Sequence, residues 1–586
     1  MAPMSKSKSK DSKETPPSHA PPSRRAVWRR FVGIVRDFTA SKSGKRAIWL
    51  FAALLVLLVL SNGLNVANSY VGRDFMSAIE QSREADFWRE AAIYIGVFAC
   101  STVVAVFSSF AEQRLGLLWR IWLTRQVLNR YLEPPVYYLV KESGEVPNPD
   151  QRISEDIRVL TVSILSFALL MLNSTLSVIA FTGVLWSISP MLMGASVVYA
   201  VLGSLITIWL GRPLIKLNSQ QSDKEANFRT DVRHIQEHSE LVALLRRESR
   251  LKARLLTRLD ELASNMRKII RVTRNMGFFT NAYNYMIQVI PALFVAPFFI
   301  HGKAAFGIIL QSALAFSILV NAFSLLVTQF PNISIFAAAT LRLSVLLEAM
   351  EKAKAGPSTG LKVKEAKDHI AYQDVTLHAS DGSDLISKLS LEIPQDARVL
   401  ITGPASHAKA ALFRATAGIG NHGEGTIVRP RLSQMHFLPE NAFLSPGTLR
   451  EMVLPDGEPK KASDHRIKEV LKTLHVEHAI EFARGLDTMH DTWDNLLSAG
   501  EQKLVVLARI FLSPPTFCFL DQIQTGLSQE QAHQALDLLC ESKITYINIG
   551  EIGNHDDCYT ALLELKEDGR WKWTPDWKPK SNGRSK

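Results

Sequence analysis

The longest uncharged segment of the chain, Val159–Gly211, constrains the fold more than any other feature. A helix that crosses the hydrocarbon core of a membrane needs about 20 apolar residues, so this segment is long enough for two such helices. The residues "SISP" at Ser187–Pro190 interrupt it and predict a tight turn between the two. A core helix of a soluble protein could resemble one apolar run, but this chain holds several more.

Four further apolar stretches raise the predicted number of membrane spans to six. They are Ala47–Leu60 (extending to about Ala67), Ala91–Ala111, Asn275–Gly302 and Ala304–Leu341. The intervening segment Arg212–Arg274 is too polar for lipid but keeps apolar residues at helical spacing. As a single helix rising about 1.5 Å per residue it would be implausibly long. We therefore expect a cytoplasmic hairpin of two long helices that bends near Glu237–Leu245.

The basic residues predict how the chain is oriented in the membrane. They cluster before the first span, after the second and between the fourth and fifth, and cytoplasmic loops carry such an excess. Both termini are therefore expected in the cytoplasm, for an integral protein of the plasma (inner) membrane. Because the net charge of +11 lies mostly beside apolar segments, it indicates a membrane partner and no nucleic acid.

The second half of the chain contains a near match to a phosphate-binding loop. Arg398–Thr402 ("RVLIT") reads as a buried strand, and Ala410–Ala417 has helical propensity. Between them, Gly403 and Lys409 keep the separation of the pattern G-x-x-x-x-G-K-[ST], in the strand–loop–helix context that this pattern requires. Ala408 replaces the second glycine and is expected to place a methyl where backbone N–H groups approach phosphate.

A second motif makes the family resemblance specific. Leu497–Gln502 ("LSAGEQ") is followed by a predicted helix and by an apolar strand that ends in Asp521. This arrangement resembles the signature and Walker B motifs of ATP-binding-cassette (ABC) transporters, and Phe437–Glu451 resembles their Q-loop segment. Asn148–Ile157 ("NPDQRISEDI") and Glu225–Arg229 ("EANFR") resemble bacterial peptide and vitamin B12 uptake transporters and peroxisomal fatty-acyl half-transporters.

The resemblance implies a dimeric half-transporter that binds ATP and Mg²⁺. Each nucleotide would lie between the phosphate loop of one subunit and the signature of the other. The residues implied to contact ATP are Gly403, Pro404, Ala405, Ser406, His407, Ala408, Lys409, Ala410, Ala411, Ser498, Gly500 and Glu501. Asp521 is the implied metal ligand.

Several positions depart from the family pattern, and each departure affects a residue that the family uses to bind Mg²⁺ or to hydrolyse ATP. Ala410 lacks the hydroxyl that would hold Mg²⁺, and Glu440 stands in place of the Q-loop glutamine. Gln522 and Glu551 occupy the positions of the catalytic glutamate and the switch histidine, so no catalytic residue is assigned. A neutral amide cannot act as general base, and a carboxylate repels a γ-phosphate, so hydrolysis at this chain's own site is expected to be impaired.

The expected fold is an α-helical six-span membrane domain of the ABC exporter type, fused to an α/β P-loop nucleotide-binding cassette. The expected divisions are a disordered tail (1–30), a membrane domain (31–350), a linker (351–362), a degenerate cassette (363–575) and a basic tail (576–586). The expected function is transport of an amphipathic peptide, cofactor or acyl-type solute by a homodimer, or by a heterodimer with an ATPase-competent half-transporter. An ion-coupled permease, or a regulatory subunit with a vestigial cassette, is the alternative.

Overall fold

The computed structural model describes residues 24–301, 305–355, 360–379, 381–419, 422–454, 462–542, 544–551 and 556–577. The chain divides into two compact units, Met1–Glu351 and Lys352–Lys586. The expected tail 1–30 lies largely outside the described residues, as do part of the linker 351–362 and most of the tail 576–586.

Helices make up all of the regular secondary structure in the described residues of the first unit. Its helices are α1 (Arg24–Ala40), α2 (Gly44–Glu80), α3 (Glu84–Tyr131), α4 (Val136–Glu142), α5 (Pro149–Gln151), α6 (Ile157–Ile188), α7 (Pro190–Glu237), α8 (Ser239–Leu245), α9 (Glu248–Ile300), α10 (Gly307–Thr328) and α11 (Phe330–Ala355). A π-helical turn at Arg152–Asp156 joins α5 to α6. Six of the described helical segments are long and apolar enough to cross a membrane, which confirms the predicted number of spans.

The predicted hairpin and its bend are confirmed. Helices α7 and α9 extend far beyond the apolar spans, and the short helix α8 lies at the expected bend. The end of the last span differs from the prediction, because α10 stops at Thr328 and a separate helix, α11, begins at Phe330. Pro331 explains the break, since a proline is tolerated in the first turn of a helix but removes a hydrogen bond from its interior.

Apolar side chains from four helices of the first unit form a buried cluster. Phe181 and Leu185 of α6 lie in it with Leu192 of α7 and Phe316 of α10. An ion pair ties the start of α6 to α11: Arg342 Nη2 lies 2.5 Å from Asp156 Oδ1, and Asp156 is 1% exposed. The α11 helix that leads toward the linker is therefore anchored on α6.

The second unit is an α/β domain. Its strands are β1 (Leu361–Glu365), β2 (His369–His378), β3 (Asp384–Pro394), β4 (Arg398–Thr402), β5 (Gly423–Arg429), β6 (Met435–Leu438), β7 (Phe517–Asp521), β8 (Thr545–Ile549), β9 (Ala561–Leu565) and β10 (Trp571–Thr574). Its helices are α12 (Ser406–Ala417), α13 (Leu449–Val453), α14 (Asp464–Thr473), α15 (His478–Phe482), α16 (Ala499–Leu512) and α17 (Gln529–Glu541).

The larger sheet of this unit positions the candidate site. Its strand order is β10-β9-β4-β8-β7-β6, and all neighbouring pairs are parallel except β10 with β9. The carboxyl ends of β4, β8, β7 and β6 therefore share one edge of the sheet. In such sheets ligands bind in the crevice outside the carboxyl ends of the strands, and this edge carries the loops that follow those four strands.

Candidate nucleotide-binding site

The loop between β4 and α12 has the geometry of a phosphate cradle. Gly403 has a φ of +123°, and a Cβ there would lie 2.0 Å from the carbonyl oxygen of Leu565, so glycine is required. Lys409 Nζ donates a hydrogen bond of 2.9 Å to the carbonyl of Gly403, across the mouth of the loop. Among the described residues, no acceptor reaches the backbone N–H of His407 or Ala408. Free N–H groups at the start of a helix favour an anion.

The expectation that the methyl of Ala408 obstructs this cradle is wrong. Ala408 is 1% exposed and belongs to the buried cluster that includes Val399 and Leu412. Its methyl packs into the core below the loop, so it does not lie on the exposed side where phosphate would approach. Of the two alanine substitutions in the loop, only Ala410 removes a group with a chemical role.

Charged side chains gather at the neighbouring strand ends. Asp521 ends β7, and Glu440 follows β6, whose Leu438 pairs with Leu520. Burial raises the pKa of Asp521, the charge of Glu440 raises it further, and Lys503 and Lys409 oppose both effects. The structure thus brings the predicted metal ligand Asp521 together with the predicted loop lysine, and it adds Lys503, a residue that the sequence reasoning missed.

Gln522 and Glu551 follow the adjacent strands β7 and β8. Gln522 adopts a left-handed conformation with a φ of +48°, and its backbone N–H donates to the carbonyl of Ile549 at 2.8 Å. Glu551 follows β8 and is exposed. This edge of the sheet therefore presents the amide of Gln522 and the carboxylate of Glu551.

The signature residues form the N-terminus of α16, and this helix start has a complete capping box. Ser498 is the N-cap: its Oγ accepts from the Glu501 backbone N–H at 3.3 Å, and Glu501 Oε2 accepts from the Ser498 N–H at 2.7 Å. This capping box leaves the first turn exposed at Ser498 and Ala499. Gly500 is buried against the carbonyl of Gly526, from which a Cβ would lie only 2.2 Å away.

His478 was not predicted from the sequence as part of this region. Its Nε2 lies 2.5 Å from Glu501 Oε1, on the side opposite the cap. Burial raises the pKa of Glu501, but hydrogen bonds from Ser498 and His478 together hold it below its ordinary value. Glu501 is thus an ionised residue that stabilises the signature turn. No spacing in the sequence could have indicated its contact with His478 of α15.

The two motifs remain separate within one chain. In the part of the chain that the structure describes, no hydrogen bond joins Ser498, Gly500 or Glu501 to the loop at 403–411. The remaining loop positions lie as predicted, with Pro404, Ser406 and His407 exposed and Ala405 and Ala411 half-buried.

Several polar residues of the membrane helices contact one another across helices. Asn62 Nδ2 donates to Asn173 Oδ1 at 2.8 Å, and Ser177 Oγ donates to Asn62 Oδ1 at 2.7 Å. Tyr199 and Tyr283 stack with ring centroids 4.3 Å apart. A cavity of about 520 Å³ lies beside this network, and Glu112, Ser166 and Asn173 are among its lining residues.

His436, on β6, gives the second unit a pH-dependent stability. Burial, followed by the charge of Arg509, lowers the pKa of His436 to about 4 from an ordinary value of 6.5. Below pH 6.5 the unfolded chain binds a proton that the folded chain does not accept until about pH 4, so stability falls as pH falls through this window. The loss is at most about 3 kcal/mol, at 1.36 kcal/mol per pKa unit.

Thermal unfolding of the detergent-purified chain between pH 7 and pH 4.5 measures this effect. We expect His436→Gln to flatten the decline, whereas His465→Asn, at an exposed position on α14, should follow the wild-type curve. Parallel curves for wild type and His436→Gln would contradict the assignment.

The fold and the site define a class: a helical membrane domain joined to a P-loop cassette that carries a signature helix. Residues 36–300 match the model of ABC transporter transmembrane region 2, and residues 386–524 match the ABC transporter model. An uncharacterized ABC transporter ATP-binding protein of Synechocystis sp. is 33% identical over 90% of this chain and 81% of its own length. The chain belongs to the ABC transporter family.

Two named relatives place it among the half-transporters. The chloroplastic ABC transporter D family member 2 of Arabidopsis thaliana is 27% identical, covering 96% of this chain and 88% of the relative. The human lysosomal cobalamin transporter ABCD4 is 23% identical, covering 93% and 95%. The chain is thus an integral membrane half-transporter similar to members of subfamily D.

The residues fit the two expected cofactors differently. The free N–H groups at α12 and the Lys409 ammonium suit the phosphates of ATP. Mg²⁺ demands near-octahedral oxygen coordination, yet Ala410 offers no side-chain oxygen, and the positive charges of Lys409 and Lys503 already act on the carboxylate of Asp521. The residues thus suit the phosphates of ATP better than they suit a Mg²⁺ ion.

Proposed function

We propose that the chain is the catalytically impaired subunit of a dimeric transporter that moves an amphipathic solute across a membrane. Its cassette binds ATP at residues 403–411 and hydrolyses it poorly, while its signature completes the ATP site of an ATPase-competent partner subunit. The observation that carries the proposal is the contrast between two parts of one cassette. The turn at Ser498–Glu501 is fully capped, whereas the sheet edge holds Gln522 and Glu551 in place of catalytic groups.

The chemistry of the sheet edge supports impaired hydrolysis. Water attack on a γ-phosphate needs a group that orients the water or accepts its proton, and Gln522 cannot take up a proton. The carboxylate of Glu551 adds negative charge where negative charge develops in the reaction. Lys409 still attracts phosphate, so binding persists without efficient turnover.

The solute class rests on the membrane unit and on the relatives. Glu112, Ser166 and Asn173 share a cavity with apolar residues such as Leu58 and Phe167, which suits a molecule with polar and apolar parts. One relative is named as a cobalamin transporter, and an amphipathic peptide, cofactor or acyl compound fits the same description. We place the chain in the plasma (inner) membrane with both termini cytoplasmic, with residues 31–350 as transport domain and 363–575 as cassette.

Reconstitution in lipid nanodiscs tests the proposal. ATP hydrolysis is measured for the purified chain alone, for an ABC half-transporter with intact cassette motifs from the same organism, and for the two together. We expect turnover by the chain alone to lie about 10²-fold or more below that of the mixed dimer. Comparable turnover by the isolated chain would contradict the proposal.

An ion-coupled permease with a vestigial cassette is the second candidate, because a carboxylate lies within the membrane unit. Glu112 Oε1 accepts a hydrogen bond of 2.5 Å from Ser166 Oγ at the edge of the 520 Å³ cavity. A proton carrier must be reachable from water and able to change hydrogen-bond partners. Glu112 lines the 520 Å³ cavity, where it could do both. Solute uptake that follows a pH gradient without ATP, and is abolished by Glu112→Gln, would favour this second function.

A further inference from the structure

The geometry points to Lys503 as a built-in cation of the nucleotide site. We infer that its ammonium neutralises the additional carboxylate of Glu440 beside Asp521, so that the cassette binds a nucleoside triphosphate without a divalent metal. This inference rests on the proposed binding of ATP at residues 403–411, and it names the form in which the nucleotide is bound.

Lys503 is an unusual residue for the middle of a helix that packs against a sheet. It is 2% exposed and belongs to α16, whose other buried residues include Leu504, Val505 and Leu507. Burying an ammonium group is costly unless it is hydrogen-bonded and paired with an opposite charge. The chain therefore has to supply partners for this charge from within the cassette.

The hydrogen bonds of Lys503 direct its charge to the carboxyl end of β7. Its Nζ donates to the carbonyl of Gln522 at 3.0 Å and to the carbonyl of Thr525 at 2.8 Å. Gln522 directly follows Asp521, so the ammonium is held at the end of the strand that carries this carboxylate. Two carbonyls satisfy donors but leave the charge itself unbalanced.

The balancing charges are Glu440 and Asp521. Both carboxylates act on Lys503, and Glu440 and Lys503 act in opposite directions on Asp521. With Lys409 also acting on Asp521, two carboxylates and two ammonium groups interact electrostatically, and their formal charges cancel. Without Lys503 the same group would keep one net negative charge, which is the condition that attracts a divalent cation.

A purely structural role for Lys503 makes a different prediction. If Lys503 only braced the segment Gln522–Thr525, removing its charge would have the same effect whether or not residue 440 carried a carboxylate. If Lys503 compensates Glu440, the effects of the two substitutions depend strongly on each other. A double-mutant cycle therefore separates the two roles.

The experiment measures binding of radiolabelled ATP to the full chain in nanodiscs, in EDTA and in excess Mg²⁺. Wild type should bind with nearly equal affinity in both buffers. Lys503→Gln should weaken binding in EDTA by on the order of tenfold, with recovery in Mg²⁺, because the uncompensated carboxylates repel phosphate. Adding Glu440→Gln to Lys503→Gln should restore most of the affinity in EDTA.

Two controls keep the outcome interpretable. Lys468→Gln removes an exposed lysine of α14 in the same cassette and should leave binding unchanged. The thermal midpoint is measured for each variant without nucleotide. It should fall for Lys503→Gln and recover in the double variant. This stability measurement reports the same charge coupling even if the single variant folds too poorly for a binding assay.

Each result bears on the inference. Two results would overturn the inference and leave the proposed function intact. The first is wild-type binding that requires Mg²⁺. The second is an effect of Lys503→Gln on ATP affinity that has the same size in the wild-type background and in the Glu440→Gln background. Absence of ATP binding in both buffers would overturn the inference and the proposed function together.

Discussion

Replacing Gly500 with alanine is expected to lower ATP turnover of the mixed dimer by about 10²-fold, although Gly500 belongs to the subunit that hydrolyses poorly. A Cβ at this position would lie 2.2 Å from the carbonyl oxygen of Gly526, far inside van der Waals contact. The start of α16 must then shift away from the segment 522–526, which moves Ser498 and the first-turn N–H groups. Those groups are the part of this chain that we expect to contact the partner's nucleotide.

Nanodisc ATPase measurements on the mixed dimer check this prediction. Lys468→Gln is the control, because Lys468 is an exposed residue of α14 in the same cassette and lies outside the signature turn. ATP binding at residues 403–411 should survive in Gly500→Ala, which separates a local displacement from unfolding. Normal turnover by the Gly500→Ala dimer would show that this signature serves no nucleotide.

Replacing Asp156 with asparagine is expected to destabilise the membrane unit by about 3 kcal/mol, toward the low end for breaking a buried ion pair because the Arg342 side chain is 47% exposed. Asp156 is 1% exposed, and its two carboxylate oxygens accept from Arg342 Nη2 and Nε. Arg152, which is 6% exposed, donates to the carbonyl of Arg342 at 2.8 Å. Losing the carboxylate leaves two guanidinium groups near each other without a counter-charge.

The temperature at which half of the detergent-purified chain unfolds measures this effect, and we expect it to fall by several degrees. Glu155→Gln is the control: Glu155 lies in the same π-helical turn, but its ion pair with Arg158 is exposed and should contribute little. Equal shifts for the two variants would contradict a buried role for Asp156.

The sequence predicted the architecture well because its signals are local. Five apolar stretches, one of them long enough for two helices, need no tertiary information to be recognised as six spans, and the bend near α8 follows from the implausible length of a single helix. The strand–loop–helix around Gly403 is likewise set by nearby residues. The break between α10 and α11 was missed, although Pro331 was a local signal for it.

The sequence could not predict the contacts that give the candidate site its character. Whether the Ala408 methyl points toward phosphate or into the core depends on how α12 packs on the sheet. Lys503 and Glu440 are far apart in the chain, and only the adjacency of β6, β7 and α16 brings their charges together. The same holds for His478 and Glu501, whose contact joins two helices.

The most direct test of the account compares the two phosphate loops of the mixed dimer. ATP turnover in nanodiscs is measured after Lys409→Ala in this chain, and separately after the equivalent lysine substitution in the partner. We expect Lys409→Ala to retain most of the turnover, because this chain's own site contributes little hydrolysis, and the partner substitution to abolish it. Equal losses from the two substitutions, or a greater loss from Lys409→Ala, would contradict the account.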